Sequence, residues 1–311
     1  MSFRVVFFGT PKIAAACLQA LLDEKINVVG VVTKPDRPIG RKQIIEKSEV
    51  KALAERTKLN IFQPEKINDI YDEILDLKPD LIVVCAYGKI IGEHILNIPK
   101  FHCVNVHTSL LPRWRGGAPI HHAVLNNDKV SGVTLMYMTK ELDAGNIIYQ
   151  EPLTLDSKET YRSLYDKLTN LSYNVLRKHI HYLFSDQVVS KPQDNDLVTI
   201  AKNISRADEK IDWSSSSKNV DAKIRGLYDE PIAYSVYDDM IVKIYEAEVS
   251  EMPIKGTPGE ILTIESTGMI VACGEGSIKI TKLQLAGKNP ISIKEMLNGN
   301  HIFKLKTNFN Y

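Results

Sequence analysis

The run Leu81–Ala86, which reads Leu-Ile-Val-Val-Cys-Ala, contains no polar residue. An apolar run without polar alternation is typical of a strand that is buried on both faces. Other strand-like segments of the first half are Phe3–Phe8, Val28–Val32 and Cys103–Val106, and segments with helical spacing begin at Ile13 and Val50. Strands separated by helices predict a doubly wound, mostly parallel, Rossmann-like sheet. Ligands of such sheets bind at the carboxyl ends of the strands.

The second half of the chain has a different pattern. A helical pattern from Thr160 to about Phe184 is followed by polar residues without periodicity. Beyond them lie short alternating runs at Ile241–Tyr245, Gly259–Ile264, Met269–Cys273 and Ser277–Leu285. Short alternating strands between glycine and acidic turns predict a small antiparallel barrel. We therefore expect a first domain over residues 1–188, a linker over 189–206 and a second domain over 207–311.

Composition narrows the class of protein. The 311 residues carry a net charge of +1, so no overall basic field indicates a nucleic-acid partner. The four cysteines form no C-x-x-C pair, which is typical of core thiols in a reducing compartment. No apolar run approaches the roughly 20 residues that span a bilayer, and the N-terminal sequence does not resemble a signal peptide. We expect a cytoplasmic protein without a membrane partner, and a monomer by default.

The densest polar and glycine-rich stretch runs from Asn105 to Pro119 and reads NVHTSLLPRWRGGAP. Asn105 and His107 are two residues apart at the end of a buried strand, so their side chains project from the same face. An amide and an imidazole there could donate hydrogen bonds to an oxyanion. A histidine that ends a strand is also commonly a cap or a core residue, so the pair alone does not decide the function.

A carboxylate would strengthen the case for chemistry. Asp143 lies in Glu141-Leu142-Asp143-Ala144-Gly145, between two apolar runs. An Asp before Ala-Gly is by itself an ordinary turn residue. No spacing rule connects it with His107 unless the fold is known.

These motifs resemble those of the folate-dependent formyltransferase family. The resemblance rests on Asn-x-His, Ser-Leu-Leu-Pro, Arg-Gly-x-x-Pro and, about two dozen residues on, Leu-Asp-x-Gly. The turn Gly9-Thr10-Pro11 and the segment Lys34–Arg41 are similar to those of the members that formylate initiator methionyl-tRNA, and the similarity continues through Ile211-Asp212-Trp213. The resemblance implies a formyltransferase domain followed by a small OB-like barrel that helps to bind tRNA.

The resemblance also implies an activity in translation initiation. The family's catalytic trio falls on Asn105, His107 and Asp143. The formyl donor, 10-formyltetrahydrofolate, is expected along Ser109, Leu110, Leu111 and Pro112 and at Tyr87 and Gly88. The free amine of methionine on the initiator tRNA would attack the formyl carbon directly. Asn105 and protonated His107 would stabilise the oxyanion of the tetrahedral intermediate, and Asp143 would orient His107 and help to remove the amine proton.

No metal is expected to take part. The closely spaced His102, His107, His121 and His122 lack a consistent one-face spacing with cysteine or carboxylate partners.

A basic loop is the first candidate for tRNA contact. Lys34–Lys42 holds four cations at the carboxyl end of the second strand, and cations favour phosphate contact. We predict contacts from Arg37, Arg41 and Lys42. The loop departs from the family pattern, because the usual Arg-Gly-Lys-Lys with its downstream Pro is replaced by Arg41-Lys42-Gln43-Ile44-Ile45-Glu46-Lys47-Ser48. The change loses the glycine and adds the negative charge of Glu46.

The second domain is mostly acidic. Between Asp208 and Glu275 there are six Lys or Arg and fourteen Asp or Glu residues. The stretch beyond it is lysine-rich and contains Lys279, Lys282, Lys288, Lys294, Lys304 and Lys306 against Glu295 alone. If this domain binds RNA phosphates, the contacts should come from these lysines.

Three other interpretations remain open on the residues alone. The acceptor could be an amino-sugar nucleotide, glycinamide ribonucleotide or water, although the Lys34–Arg41 loop and the second domain argue against these. A dinucleotide-binding protein is disfavoured because Gly9-Thr10-Pro11 lacks the G-x-G-x-x-G pattern. A noncatalytic tRNA-binding module would not need the catalytic trio.

Overall fold

The structure is a computed structural model that describes residues 3–39, 44–252 and 256–310. The chain divides into two compact units. The first comprises the described residues up to Pro119 together with Val130–Thr154 and Tyr165–Lys202. The second comprises Ile120–Lys129, Leu155–Leu164 and the described residues from Asn203 onward.

The first unit is built on a seven-stranded sheet. Its strands are β1 (Arg4–Gly9), β2 (Asn27–Val32), β5 (Ile61–Phe62), β6 (Leu81–Cys85), β7 (Cys103–His107), β9 (Val130–Tyr137) and β10 (Ile147–Thr154). The order across the sheet is β10-β9-β7-β6-β1-β2-β5. The five strands from β7 to β5 are parallel, and β9 and β10 are antiparallel additions at one edge. This confirms the mostly parallel sheet that the apolar runs predict.

Helices lie between these strands in the chain and after β10. They are α1 (Lys12–Asp23), α2 (Glu49–Arg56), α3 (Tyr71–Asp76), α4 (Glu93–Leu96), α5 (Pro119–Leu125) and α6 (Tyr161–His179). The centre of β1, Val5–Phe8, is completely buried, as expected for a strand covered on both faces. Ser48 caps α2 because its hydroxyl accepts a hydrogen bond from the backbone N–H of Lys51 at 3.1 Å.

Two short strand pairs lie outside the main sheet. The loop after β2 forms a hairpin from β3 (Arg37–Ile39) and β4 (Ile44–Glu46). β8 (Arg115–Gly116) pairs in parallel with β11 (Ile200–Ala201). The second pair brings a segment after α6 next to the motif stretch that begins at Asn105.

The second unit contains an antiparallel sheet. Its strands are β12 (Tyr234–Tyr237), β13 (Met240–Ser250), β14 (Ile261–Glu265), β15 (Gly268–Ala272), β16 (Ser277–Leu285) and β17 (Ile291–Ser292), and its helices are α7 (Ser217–Gly226) and α8 (Ile293–Leu297). The order is β12-β13-β16-β15-β14, with β17 paired to β16. The last described residues bridge both edges, since Asn308 pairs with Glu260 and Asn310 with Val236. The sheet therefore closes on itself, in agreement with the predicted small barrel.

The barrel encloses a core around Trp213. This side chain is fully buried, and its indole N–H donates to the hydroxyl of Ser235 at 2.8 Å. Its ring stacks on Phe309 at a centroid distance of 5.3 Å. A buried Trp with its N–H satisfied anchors the barrel interior.

Arg225 joins three segments of the second unit. Its Nε donates to Asp221 at 2.7 Å, and its Nη1 to the carbonyl of Glu159 at 2.7 Å. Its Nη2 donates to Asn127 at 2.8 Å. Arg225 therefore ties α7 to both the Ile120–Lys129 and Leu155–Leu164 segments.

Replacing Arg225 with Ala should destabilise the protein by about 3 kcal/mol, because it leaves the buried Asp221 carboxylate without its cation. The free energy of unfolding from a urea titration measures the effect. Lys282→Ala is the matched control, since its pair with Glu246 is well exposed and is worth less than about 1 kcal/mol. Equal losses for the two variants would contradict the prediction.

Among the described residues, no helix is both long enough and apolar enough to span a bilayer. The domain boundaries at 188 and 206 stay a prediction.

Candidate active site

Asn105 and His107 lie at the carboxyl end of β7. In the sheet, Asn105 is opposite Val84 of β6 on one side and Met136 of β9 on the other. His107 is buried and Asn105 is partly buried. Their spacing of two residues in a strand places both side chains on one face, as the sequence predicts.

Asp143 lies in the turn that joins β9 to β10. Its backbone has a φ of +50°, a left-handed conformation that Asp tolerates better than most residues. The same turn needs Gly145, because a Cβ at that position would collide with the carbonyl group of Tyr137. The turn thus combines a strained carboxylate residue with a glycine that permits close backbone approach.

The three predicted catalytic side chains come together. The amide Nδ2 of Asn105 donates to Oδ1 of Asp143 at 3.4 Å. Oδ2 of Asp143 lies 3.7 Å from Nδ1 of His107 and accepts the backbone N–H of Gly116 at 2.9 Å. The side chains of His107 and Asp143 are only 7% and 11% exposed, so water screens their interaction weakly.

The second nitrogen of His107 is already engaged. Nε2 lies 2.8 Å from the carbonyl oxygen of Trp114, and since a carbonyl only accepts, Nε2 is the protonated nitrogen of this contact. The hydroxyl of Ser109 donates to the same carbonyl at 3.1 Å. Nδ1 is therefore the nitrogen that faces Asp143, and a protonated His107 would have an acceptor on each side.

The Ser109–Pro112 loop is fixed by β9 and β10. The hydroxyl of Thr134 donates to the carbonyl of Ser109 at 2.6 Å and accepts the N–H of Leu111 at 3.2 Å. Gln150 donates to the carbonyl of Leu111 at 2.9 Å. Leu111 packs on Met136 and Ile147 in a small buried cluster.

The remaining residues of this loop have other neighbours. Leu110 lies over Gly132, where a Cβ would collide with its side chain. The carbonyl of Pro112 accepts the N–H of Thr199.

Tyr87 and Gly88 follow β6. The ring of Tyr87 packs edge-on against Phe8 at 5.3 Å, and its burial raises the pKa of the phenol to about 12. Its hydroxyl has no hydrogen-bond partner among the described residues. Gly88 has a φ of +74°, and the ammonium group of Lys34 lies where its Cβ would be.

Cations gather beside Gly88. Burial lowers the pKa of Lys34, and the nearby charges of Lys89 and Arg37 lower it further. Arg37 itself is exposed and lies 3.8 Å from Glu65. Arg41 and Lys42, the other predicted tRNA contacts, lie outside the described residues.

Sequence patterns missed the contribution of the 189–202 segment. Gln193 donates to the carbonyls of Asp143 and Gly145 at 2.7 and 2.9 Å. It accepts from the Nε of Arg115 at 3.0 Å. A polar stretch without periodicity gives no signal of such a contact. Arg115, which contacts Gln193, does belong to a motif seen in the sequence, Arg-Gly-x-x-Pro.

In the part of the chain that the structure describes, no group of three or more His, Cys, Asp or Glu side chains is arranged to hold a metal ion.

Profiles of known families match this chain over most of its length. Residues 3–180 match the profile described as formyl transferase, and residues 203–301 match the formyl transferase C-terminal domain. The chain belongs to the formyl transferase family. A relative from Bacillus cytotoxicus, named methionyl-tRNA formyltransferase, is 42% identical over 95% of this chain and 95% of its own.

Two solved structures share the fold of this chain. The N-formyltransferase from Helicobacter canadensis, solved with folinic acid and dTDP-3-aminofucose, has a TM-score of 0.69 and 20% identity over 90% of this chain and 99% of its own. HypX from Aquifex aeolicus, solved with tetrahydrofolic acid, has a TM-score of 0.64 and 17% identity. The alignment covers all of this formyl transferase chain and 51% of HypX, so the chain spans about half of HypX.

Proposed function

We propose that this formyl transferase moves the formyl group of 10-formyltetrahydrofolate to the free amine of methionine on initiator methionyl-tRNA. The observation that carries the proposal is that the side chains of Asn105 and His107 both lie beside the carboxylate of Asp143. The relative named methionyl-tRNA formyltransferase, at 42% identity, supports it. A place in translation initiation, in the cytoplasm, follows from the proposed substrate.

The side chains present fit a formyl donor. Formyl transfer needs hydrogen-bond donors for the formyl oxygen and an acceptor for the amine proton. Asn105 and His107 supply N–H groups, and Asp143 supplies a carboxylate beside both of them. The donor, when bound, supplies an activated one-carbon unit.

Each residue of the trio has a distinct proposed role. The Nδ2–H of Asn105 and the Nδ1–H of protonated His107 stabilise the negative charge that develops on the formyl oxygen as the amine attacks. The carbonyl of Trp114 holds His107 through Nε2, which leaves the Nδ1–H beside Asp143 to reach the formyl oxygen once the donor is bound. Asp143 keeps His107 oriented and takes up the amine proton, directly or through water. It then returns a proton to the folate nitrogen as the bond between that nitrogen and the formyl carbon breaks, so that tetrahydrofolate leaves.

We place the folate along Ser109, Leu110, Leu111 and Pro112, with Tyr87 and Gly88 on the neighbouring loop. Support comes from their position, since both loops follow strands at the same carboxyl edge as Asn105. The hydrogen bonds of Thr134 and Gln150 hold the first loop in shape before a ligand arrives.

The proposed tRNA contacts are Arg37, Arg41 and Lys42, in a first domain of residues 1–188, and the lysine-rich end of an OB-like second domain of residues 207–311. Two of those lysines are paired within the barrel, Lys279 with Glu248 at 3.2 Å and Lys282 with Glu246 at 3.5 Å. Lys288, Lys294, Lys304 and Lys306 are therefore the better candidates for RNA phosphates.

Because phosphate contacts release counterions, the KM for tRNA should rise steeply with salt. Neutralising about three phosphates predicts a rise of roughly 20- to 40-fold between about 50 and 200 mM salt. Steady-state kinetics over this range measures it. Arg37→Ala should lower the slope of log KM against log salt by about one. Arg56→Ala, at the exposed end of α2, is the matched control and should not. A KM for tRNA independent of salt would rule out the phosphate contacts.

The experiment that tests the function compares formylation of charged initiator tRNA, charged elongator methionine tRNA and an amino-sugar nucleotide. Strong preference for the initiator supports the proposal. Preference for the sugar nucleotide would reassign the acceptor within the same family.

A further inference from the structure

The segment 191–201, here called the strap, runs along the loops that carry the catalytic trio. Lys191 pairs with Ile147 just after the Asp143 turn. Further along, the N–H of Thr199 reaches the carbonyl of Pro112, and Ile200–Ala201 pairs with Arg115–Gly116. The strap lies outside both matched profile regions, 3–180 and 203–301.

Gln193 is the strap residue that contacts the Asp143 turn through its side chain. It is 9% exposed, and its amide Nε2 donates to the carbonyls of Asp143 and Gly145. Its Oε1 accepts from Arg115. The Nε2 end of the amide faces two carbonyl acceptors and the Oε1 end faces a guanidinium donor. Only one orientation of the amide forms all three hydrogen bonds.

Arg115 holds Gln193 in place. It is 5% exposed, and besides Gln193 its guanidinium donates to Glu141 and to Asn195, both at 3.4 Å. The guanidinium thus links Glu141, in the Asp143 turn, to the strap.

We infer that Gln193, held by Arg115, is a positioning residue that keeps Asp143 in its reactive orientation. A residue at φ +50° keeps that conformation only where its surroundings fix it, and Gln193 fixes the peptide carbonyl of Asp143 itself. Movement of this carbonyl would carry the carboxylate away from Asn105 and His107. The inference rests on the proposed function for its kinetic consequences.

Replacing Gln193 with Ala should lower kcat by about 10²-fold and change the KM for tRNA little, because a shift of about 1 Å in a catalytic group has such a cost. Gln193→Glu keeps the size and the contact with Arg115 but removes both N–H donors, so it should lose a similar factor. It also serves as the second variant if Gln193→Ala folds poorly. The matched control is Gln187→Ala, an exposed glutamine six residues earlier, which should keep normal turnover.

A double-mutant cycle separates positioning from general stability. If Gln193 acts through Asp143, adding Gln193→Ala to Asp143→Ala should lower single-turnover rates by less than about 3-fold, since the group that it positions is already gone. A purely structural role would multiply the two losses. Multiplicative losses, or normal kcat in both Gln193 variants, would overturn the inference.

Hydrogen exchange gives a readout that does not depend on the acceptor. The N–H of Gly116 donates to Oδ2 of Asp143, so its exchange should quicken in Gln193→Ala and Gln193→Glu but not in Gln187→Ala. Unchanged protection would overturn the inference even if the enzyme uses another acceptor. An inactive wild-type protein with quickened exchange in the Gln193 variants would instead count against the proposed function alone.

Discussion

The Asp143→Asn variant is expected to lose about 10⁴-fold in kcat for formyl transfer while it keeps its fold, by analogy with the loss of an orienting carboxylate beside a catalytic histidine. Asn tolerates the left-handed backbone conformation of this position. Its single amide oxygen can replace only one of the carboxylate oxygens that contact Gly116, His107 and Asn105. The variant therefore removes the charge beside His107 and the proposed acceptor for the amine proton.

Single-turnover formylation of charged initiator tRNA measures this loss. Asp238→Asn is the matched control, because Asp238 also has a left-handed conformation, with a φ of 48°, but lies in an exposed turn of the second unit. Its turnover and thermal stability should match those of the wild type. Turnover within 10-fold of the wild type for Asp143→Asn would remove Asp143 from the catalytic trio.

Replacing Asn105 with Ala should lower kcat by about 10²- to 10³-fold, or ~3–4 kcal/mol in the activation barrier, because it removes one donor to the developing oxyanion. The KM for either substrate should change much less, since the donor is needed most in the transition state. Asn105 is only partly buried, so the truncation should leave folding intact.

Asn105→Asp sharpens this test. The variant has nearly the same shape, but its carboxylate cannot donate and would repel Asp143, whose Oδ1 accepts from the Asn105 amide. It should therefore be at least as slow as Asn105→Ala. A faster Asn105→Asp would mean that size, and not hydrogen-bond donation, is what the site needs at this position.

The sheet of the first unit could be predicted because burial on both faces leaves a strong signal. The apolar runs at Phe3–Phe8 and Leu81–Ala86 became β1 and β6 with shifts of one residue at their ends. The hairpin of β3 and β4 had no such signal, since the loop between Val32 and Glu49 is polar and proline-rich. In the barrel, the alternating runs were predicted, but the closure through Asn308 and Asn310 was not. Single bridges of this kind leave no periodic pattern.

For the candidate site, the residues Asn105, His107 and Asp143 could each be singled out in the sequence. Only the family resemblance predicted that the three act together. The pair Asn105 and His107 follows from strand geometry alone. Asp143 is 36 residues beyond His107, and only the register of β7 against β9 brings its turn back to them. The contacts of Gln193 and Trp114 could not be predicted, because they join side chains to backbone carbonyls, which every residue has. The carbonyls that Gln193 contacts are also 50 and 48 residues away in sequence.

The positions of the turn between β9 and β10 differ in how many residue types they tolerate, which matters for mutagenesis that aims to change the acceptor. Position 145 admits glycine alone for lack of space, and position 143 favours the few residue types that accept a left-handed backbone. Leu142 is instead 66% exposed and next to the proposed catalytic carboxylate of Asp143. A library that keeps 143 and 145 fixed and varies 142 would explore new acceptors without spending most of its members on misfolded loops.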